Sequence, residues 1–175
     1  MKKYYNDAFI GNRNITASFT KYGELLRLYY PLRDYRQYSD FFHIGLKIND
    51  SNIIYLHNDI NNHYKQYYTE DTNILNTEIF NDYFNLRIKQ TDAVMINKDV
   101  ILKKYELKNE NSIDLNLNFL VRSKAVSSFN NMVGSLISDN ALIQYSHNFT
   151  SAIFSNLPIY SHQLNNVGNN IDSGN

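Results

Sequence analysis

Asn12-Arg13-Asn14-Ile15-Thr16-Ala17-Ser18-Phe19-Thr20, then Lys21-Tyr22-Gly23-Glu24-Leu25-Leu26-Arg27-Leu28-Tyr29-Tyr30-Pro31, then Phe41-Phe42-His43-Ile44-Gly45-Leu46-Lys47-Ile48-Asn49-Asp50: this stretch decides the fold. It reads as a short strand, a glycine turn and a second strand that ends on a tyrosine pair stopped by proline. A third strand follows after a polar loop. In that third strand Phe42, Ile44, Leu46 and Ile48 point one way, and His43, Gly45 and Lys47 point the other. Period-two alternation marks a half-buried strand with one wet face.

The same pattern extends along the chain. Ile15, Ala17 and Phe19 alternate, as do Phe84, Leu86 and Ile88, and Ile113, Leu115, Leu117 and Phe119. Further strands are expected at Ala8–Gly11, Glu24–Tyr30, Ile53–Leu56, Lys65–Thr69, Ile74–Phe80, Val94–Ile96, Val100–Lys108, Val133–Ser138, Ala141–His147 and Thr150–Phe154. Between them lie Tyr22-Gly23, Asn49-Asp50-Ser51-Asn52, Asn81-Asp82, Asn97-Lys98-Asp99, Asn109-Glu110-Asn111 and Ser138-Asp139-Asn140. Asn and Asp tolerate positive φ and bond their own backbone, so these are hairpin turns. Many short strands at hairpin spacing, without a crossover helix, predict an all-β antiparallel sandwich. A single domain over residues 1–175 is expected, with residues 165–175 as a polar tail.

Composition narrows the function classes. Lys plus Arg and Asp plus Glu both number 17, so the formal charge is zero and no nucleic acid or anionic membrane is expected as a partner. Cysteine is absent, which excludes disulfides and thiolate metal sites. Met1-Lys2-Lys3 is followed by Tyr4-Tyr5-Asn6-Asp7 rather than an apolar stretch, so no signal peptide is visible and a cytoplasmic location is expected. No apolar run reaches the roughly 20 residues of a membrane span.

No catalytic set stands out. Glycoside hydrolysis needs two carboxylates, and Glu70-Asp71 and Glu78 with Asp82 read as strand ends and turns. The five histidines, His43, His57, His63, His147 and His162, show no compact ligand spacing, so they read as exposed or strand-end imidazoles and no metal site is expected. A paired-histidine epimerase would have only His147, His162 and Glu106 to draw on. Arg33, Asp34, Arg36 and Asp40 share a loop with Tyr35, Gln37 and Tyr38, offering planar hydrogen-bonding groups beside aromatic faces. A second tyrosine cluster, Tyr64, Tyr67 and Tyr68, offers rings that can stack on pyranose faces but better suits packing against another domain.

Gly11-Asn12-Arg13, Gly23, Leu28-Tyr29-Tyr30-Pro31 and Phe42–Asp50 occur in an order that resembles the N-terminal β-sandwich of bacterial glucoamylase-type glycoside hydrolases, family 15. Val100–Asn109 and Ser173-Gly174-Asn175 resemble later segments of that domain. Arg13 stands where a second glycine is common, and tryptophan is absent throughout. The resemblance implies an antiparallel supersandwich of the galactose mutarotase type, truncated or shortened at its C-terminus. It further implies a helical catalytic barrel as partner, which carries the two catalytic glutamates and inverts α-linked glucose at chain ends. Nothing in the chain matches that barrel, so the resemblance implies no catalytic residue and no cofactor here. The expected role is to brace the barrel and wall one side of a pocket for an α-glucan or maltooligosaccharide, with Tyr30, Arg33 and Asp34 nearest the sugar. The alternative is a stand-alone carbohydrate-binding module or lectin.

Overall fold

The computed structural model describes residues 5–31, 38–125, 133–146 and 149–164. Every strand pairing among them is antiparallel. The first sheet holds β1 (Ala8–Gly11), β2 (Thr16–Phe19), β3 (Leu25–Tyr29), β4 (Ser39–Ile48) and β10 (Leu117–Ala125) in that spatial order, with the short β5 (Ile54–Tyr55) also on β4. The second is a meander of β6 (Asn62–Tyr68), β7 (Ile74–Asn81), β8 (Leu86–Val94) and β9 (Ile101–Asn109). The third is β11 (Gly134–Ser138), β12 (Ala141–Ser146) and β13 (Phe149–Phe154).

The first two sheets form the sandwich. Their inner faces meet in two apolar clusters, because one face of each strand is apolar and must leave water. Ile44, Leu46 and Ile48 of β4 pack with Leu56, Ile79, Leu86 and Ile88. Ala8, Ile10, Ala17, Phe19 and Leu25 pack with Leu75 of β7. The third sheet is tied to β10 by Ser123, whose hydroxyl donates to Gln144 Oε1 at 2.9 Å.

Positive φ falls on glycine, asparagine and aspartate as expected, but Asn109-Glu110-Asn111 closes no hairpin, since β9 and β10 lie in different sheets. Positive φ falls at Gly23 (80°), Asn49 (51°), Asp71 (55°), Asn85 (46°), Asp139 (46°) and Asn140 (63°). Asn81 Oδ1 accepts the Phe84 N–H at 2.9 Å and sets the β7–β8 turn.

Several boundaries differ from the sequence expectation. Val94–Ile96 is not a separate strand: Val94 ends β8, and Met95 N–H donates to Val100 O at 3.0 Å to close the β8–β9 hairpin. The alternation from Ile113 does not begin a strand until Leu117. Asn side chains hold that loop instead, with Asn109 Nδ2 donating to Ile113 O at 2.7 Å and Asn111 Nδ2 to Phe84 O at 2.8 Å. Phe84 lies in the β7–β8 turn, although its ring still packs on the core. The polar tail at 165–175 lies outside the described residues.

Candidate functional site

Of the residues expected nearest the sugar, Tyr30 is described, while Arg33 and Asp34 lie outside the described residues, as does Arg36. The Tyr30 hydroxyl donates to Asp99 Oδ2 at 3.1 Å, and Asn14 Nδ2 donates to Asp99 Oδ1 at 2.9 Å. The hydrogen bond to Asp99, then its charge, raise the Tyr30 pKa above the ordinary phenol value. Tyr30 meets Tyr38 edge-on at 6.5 Å between ring centroids, and Tyr38 meets Phe149 of β13 at 4.6 Å. The foot of the tyrosine-rich loop is thus an aromatic chain running from the first sheet to the third.

The other sequence candidates are dispersed. Glu78 accepts the Tyr67 hydroxyl at 2.8 Å, and Asp82 pairs with exposed His63 at 2.5 Å. Glu106 pairs with Lys104 on the wet side of β9. His162 is exposed, and His147 lies outside the described residues. Two of the imidazoles read as exposed or strand-end positions, His43 and His57, are drawn together, and the reason is the way β4 changes neighbours.

β3 runs along one half of a β4 edge, with Leu25 opposite Phe42. β5 takes over the other half of that edge, with Tyr55 opposite Gly45 and the Leu56 N–H donating to Ile44 O at 2.9 Å. Glu24, directly before β3, and His57, in the turn directly after β5, both come to lie beside His43. Glu24 Oε1 is 2.9 Å from His43 Nε2 and 3.9 Å from His57 Nε2. The two imidazoles stack at 4.3 Å between centroids. Phe41 also stacks on His43, at 4.8 Å between centroids.

Glu24 is buried, at 7% exposure, and its second oxygen, Oε2, has no hydrogen-bond partner among the described residues. A buried acceptor left this way costs about 1–3 kcal/mol, more when it is charged. Behind the seam between β3 and β5 is a small recess of about 10 Å³, lined by Glu24, His57, Gln90, Lys103 and Tyr105. That is room for about one water. The Tyr105 hydroxyl is buried there without a hydrogen-bond partner, and burial, then the Asp92 charge, push its pKa well above the ordinary value.

The floor of the recess is a polar layer between the two apolar clusters. Along β8 the inward positions change from Leu86 and Ile88 to Gln90 and Asp92. Gln90 Nε2 donates to Gly23 O at 2.7 Å and to Asp92 Oδ2 at 2.6 Å. Lys103 pairs with Asp92 Oδ1 and lies 5.0 Å from the centroid of the Phe19 ring. Glu24, His43 and His57 each offer one ligand atom, all within 4.8 Å of one another, which is a donor set that suits a divalent transition metal. The same imidazole–carboxylate contact can also orient a histidine as a proton acceptor.

Sequence reasoning missed this cluster because the residues are far apart in the chain; Glu24 and His43 alone are separated by 19 positions. The one available signal was adjacency: segments flanking two strands that pair with the same third strand can bring their side chains together beside it.

Comparison with known proteins adds one relative. Over 115 residues, 66% of this chain, the sequence is 32% identical to a protein of Methanocaldococcus jannaschii named an uncharacterized glycosyl hydrolase. The match spans 18% of that protein's length. No family model matches the chain, and no solved structure matches it significantly. The chain is an all-β domain related to part of a glycosyl-hydrolase-named protein. No helix among the described residues is long and apolar enough to cross a membrane.

Proposed function

We propose that this chain is the β-sandwich module of a glucoamylase-type glycoside hydrolase, non-catalytic by itself. It braces a helical catalytic barrel and forms one wall of the pocket that takes the end of an α-glucan or maltooligosaccharide. The observation that carries the reading is the similarity to a stretch of a much longer protein named a glycosyl hydrolase, of which the match covers 18%. The antiparallel sandwich and the order of the Gly23, Leu28–Pro31 and Phe42–Asp50 motifs support it. Tyr30, anchored through Asp99, fixes the base of the loop that carries Arg33 and Asp34, which suits a loop that must present polar groups to a sugar.

The test compares the chain alone with the product of the whole reading frame that encodes it. The chain alone releases no glucose from maltooligosaccharides, whereas the whole product does, and proton NMR shows the β-anomer first. Substituting Tyr30→Ala in the whole product raises KM more than it lowers kcat. Enzyme-like glucose release by the chain alone ends this reading. Tight binding of maltooligosaccharides by the isolated chain, with no hydrolase encoded downstream, replaces it with a lectin.

A further inference from the structure

We propose that Glu24, His43 and His57 bind a single divalent transition-metal ion, with zinc the best match, at the seam where β4 passes from β3 to β5. The inference is independent of the sugar-related reading and holds for this domain in any parent protein.

Three observations converge. The first is placement: His43 lies within β4, Glu24 directly precedes β3, and His57 lies in the turn directly after β5, so two strands that are both hydrogen-bonded to β4 deliver the other two ligands beside it. The second is spacing. Glu24 Oε1 lies 2.9 Å and 3.9 Å from the two Nε2 atoms, and all three donors fall within 4.8 Å of one another. Ligands held at about 2.0–2.1 Å from zinc in a tetrahedron are roughly 3.3 Å apart, so side-chain movements on the order of 1 Å close the site. The third is the orphaned oxygen. Glu24 Oε2 is buried with no hydrogen-bond partner among the described residues, and a cation on this carboxylate supplies the interaction it lacks.

The donor chemistry selects the ion. Two imidazoles and one carboxylate suit zinc, whereas calcium and magnesium prefer shells made of oxygen. Neutral imidazoles with one ionised carboxylate carry a single negative charge toward a dication. Two His and one Glu leave a fourth position, which zinc sites of this composition fill with water. The recess beside Glu24 and His57 has room for about one water and is lined by the Tyr105 hydroxyl, itself unpartnered among the described residues.

The ion would clip the start of β3 and the end of β5 to β4 through side chains, at the point where the backbone ladder along this edge changes strands.

The experiment uses the untagged 175-residue chain, stripped of metal with a chelator and titrated with zinc by calorimetry. The expected result is a single equivalent bound, with a Tm that rises with zinc concentration as mass action requires. Cobalt(II) in place of zinc should give visible d–d bands of a four- or five-coordinate site. His43→Gln and His57→Gln each weaken zinc more than about tenfold. His63→Gln, on an exposed imidazole of β6, leaves it unchanged. If a site variant does not fold, imidazole nitrogen shifts of the wild-type chain with and without zinc assign the ligands directly. Absence of zinc binding by the stripped wild-type chain overturns the proposal. So does binding that survives both His43→Gln and His57→Gln, or zinc-induced shifts confined to other histidines.

Discussion

At the scale of single residues, the decisive feature is the polar layer set into an apolar sandwich. Asp92 is fully buried, and Lys103 and Gln90 are its partners. A buried pair contributes little net stability, but breaking it leaves an uncompensated charge. Lys103→Met should therefore cost about 3–5 kcal/mol in urea unfolding. Adding Asp92→Leu to Lys103→Met should recover much of that loss, and a double variant no more stable than the single one would contradict this account. Two phenols packed on the core, half-buried Tyr64 and Tyr105 with its buried hydroxyl, make a second residue-scale prediction. Burial raises the Tyr64 pKa to about 12, opposed in part by its hydrogen bond from Asn62, and burial raises Tyr105 as well. A raised phenol pKa means that the fold favours the neutral form. Its stabilisation is complete below the unfolded pKa of about 10 and is lost as pH rises toward the folded value. The urea midpoint should fall between about pH 10 and pH 12, and the Tyr64→Phe, Tyr105→Phe double variant should flatten that slope.

At the scale of elements, β4 is the strand on which the domain depends. It pairs with β3, β5 and β10 and supplies Ile44, Leu46 and Ile48 to the core. Truncating its facing partner on β8, Ile88→Ala, should cost about 2–5 kcal/mol by chemical denaturation, through lost burial and the cavity left behind. β5 is held at close quarters. A Cβ at Gly45 would come within 2.8 Å of Ile53 Cγ2 and 3.4 Å of Ile54 O. Gly45→Val should therefore push β5 off β4, and hydrogen exchange should accelerate at Leu56, whose N–H bonds Ile44 O. Unchanged protection at Leu56 would show that β5 tolerates the added bulk. The strands themselves were largely legible, since period-two alternation and Asn/Asp turns report local backbone preference. The misplaced start of β10 has a local cause too: Asn109 and Asn111 use their side chains to hold the preceding residues in a loop, which alternation cannot reveal.

At the scale of the whole molecule, two antiparallel layers enclose one core, with a third small sheet attached through β10 and the Tyr38–Phe149 contact. Stability is shared between the β4–β8 cluster and the β1–β2–β7 cluster, with the polar layer set between them. Cutting the link to the third sheet, by Ser123→Ala with Gln144→Leu, should therefore lower the melting temperature by only a few degrees, read by calorimetry, because neither residue belongs to either cluster. The sequence by itself determined the all-β class, most strand positions and the turns, because alternation and turn propensity act over a few neighbouring residues. It also carried the motif order behind the glycoside-hydrolase reading. Only the tertiary structure decided that Glu24, His43 and His57 meet, and that Gln90, Asp92, Lys103 and Tyr105 share a buried layer. Those contacts come from strand register and layer packing, which join residues distant in the chain and leave no periodic trace in it.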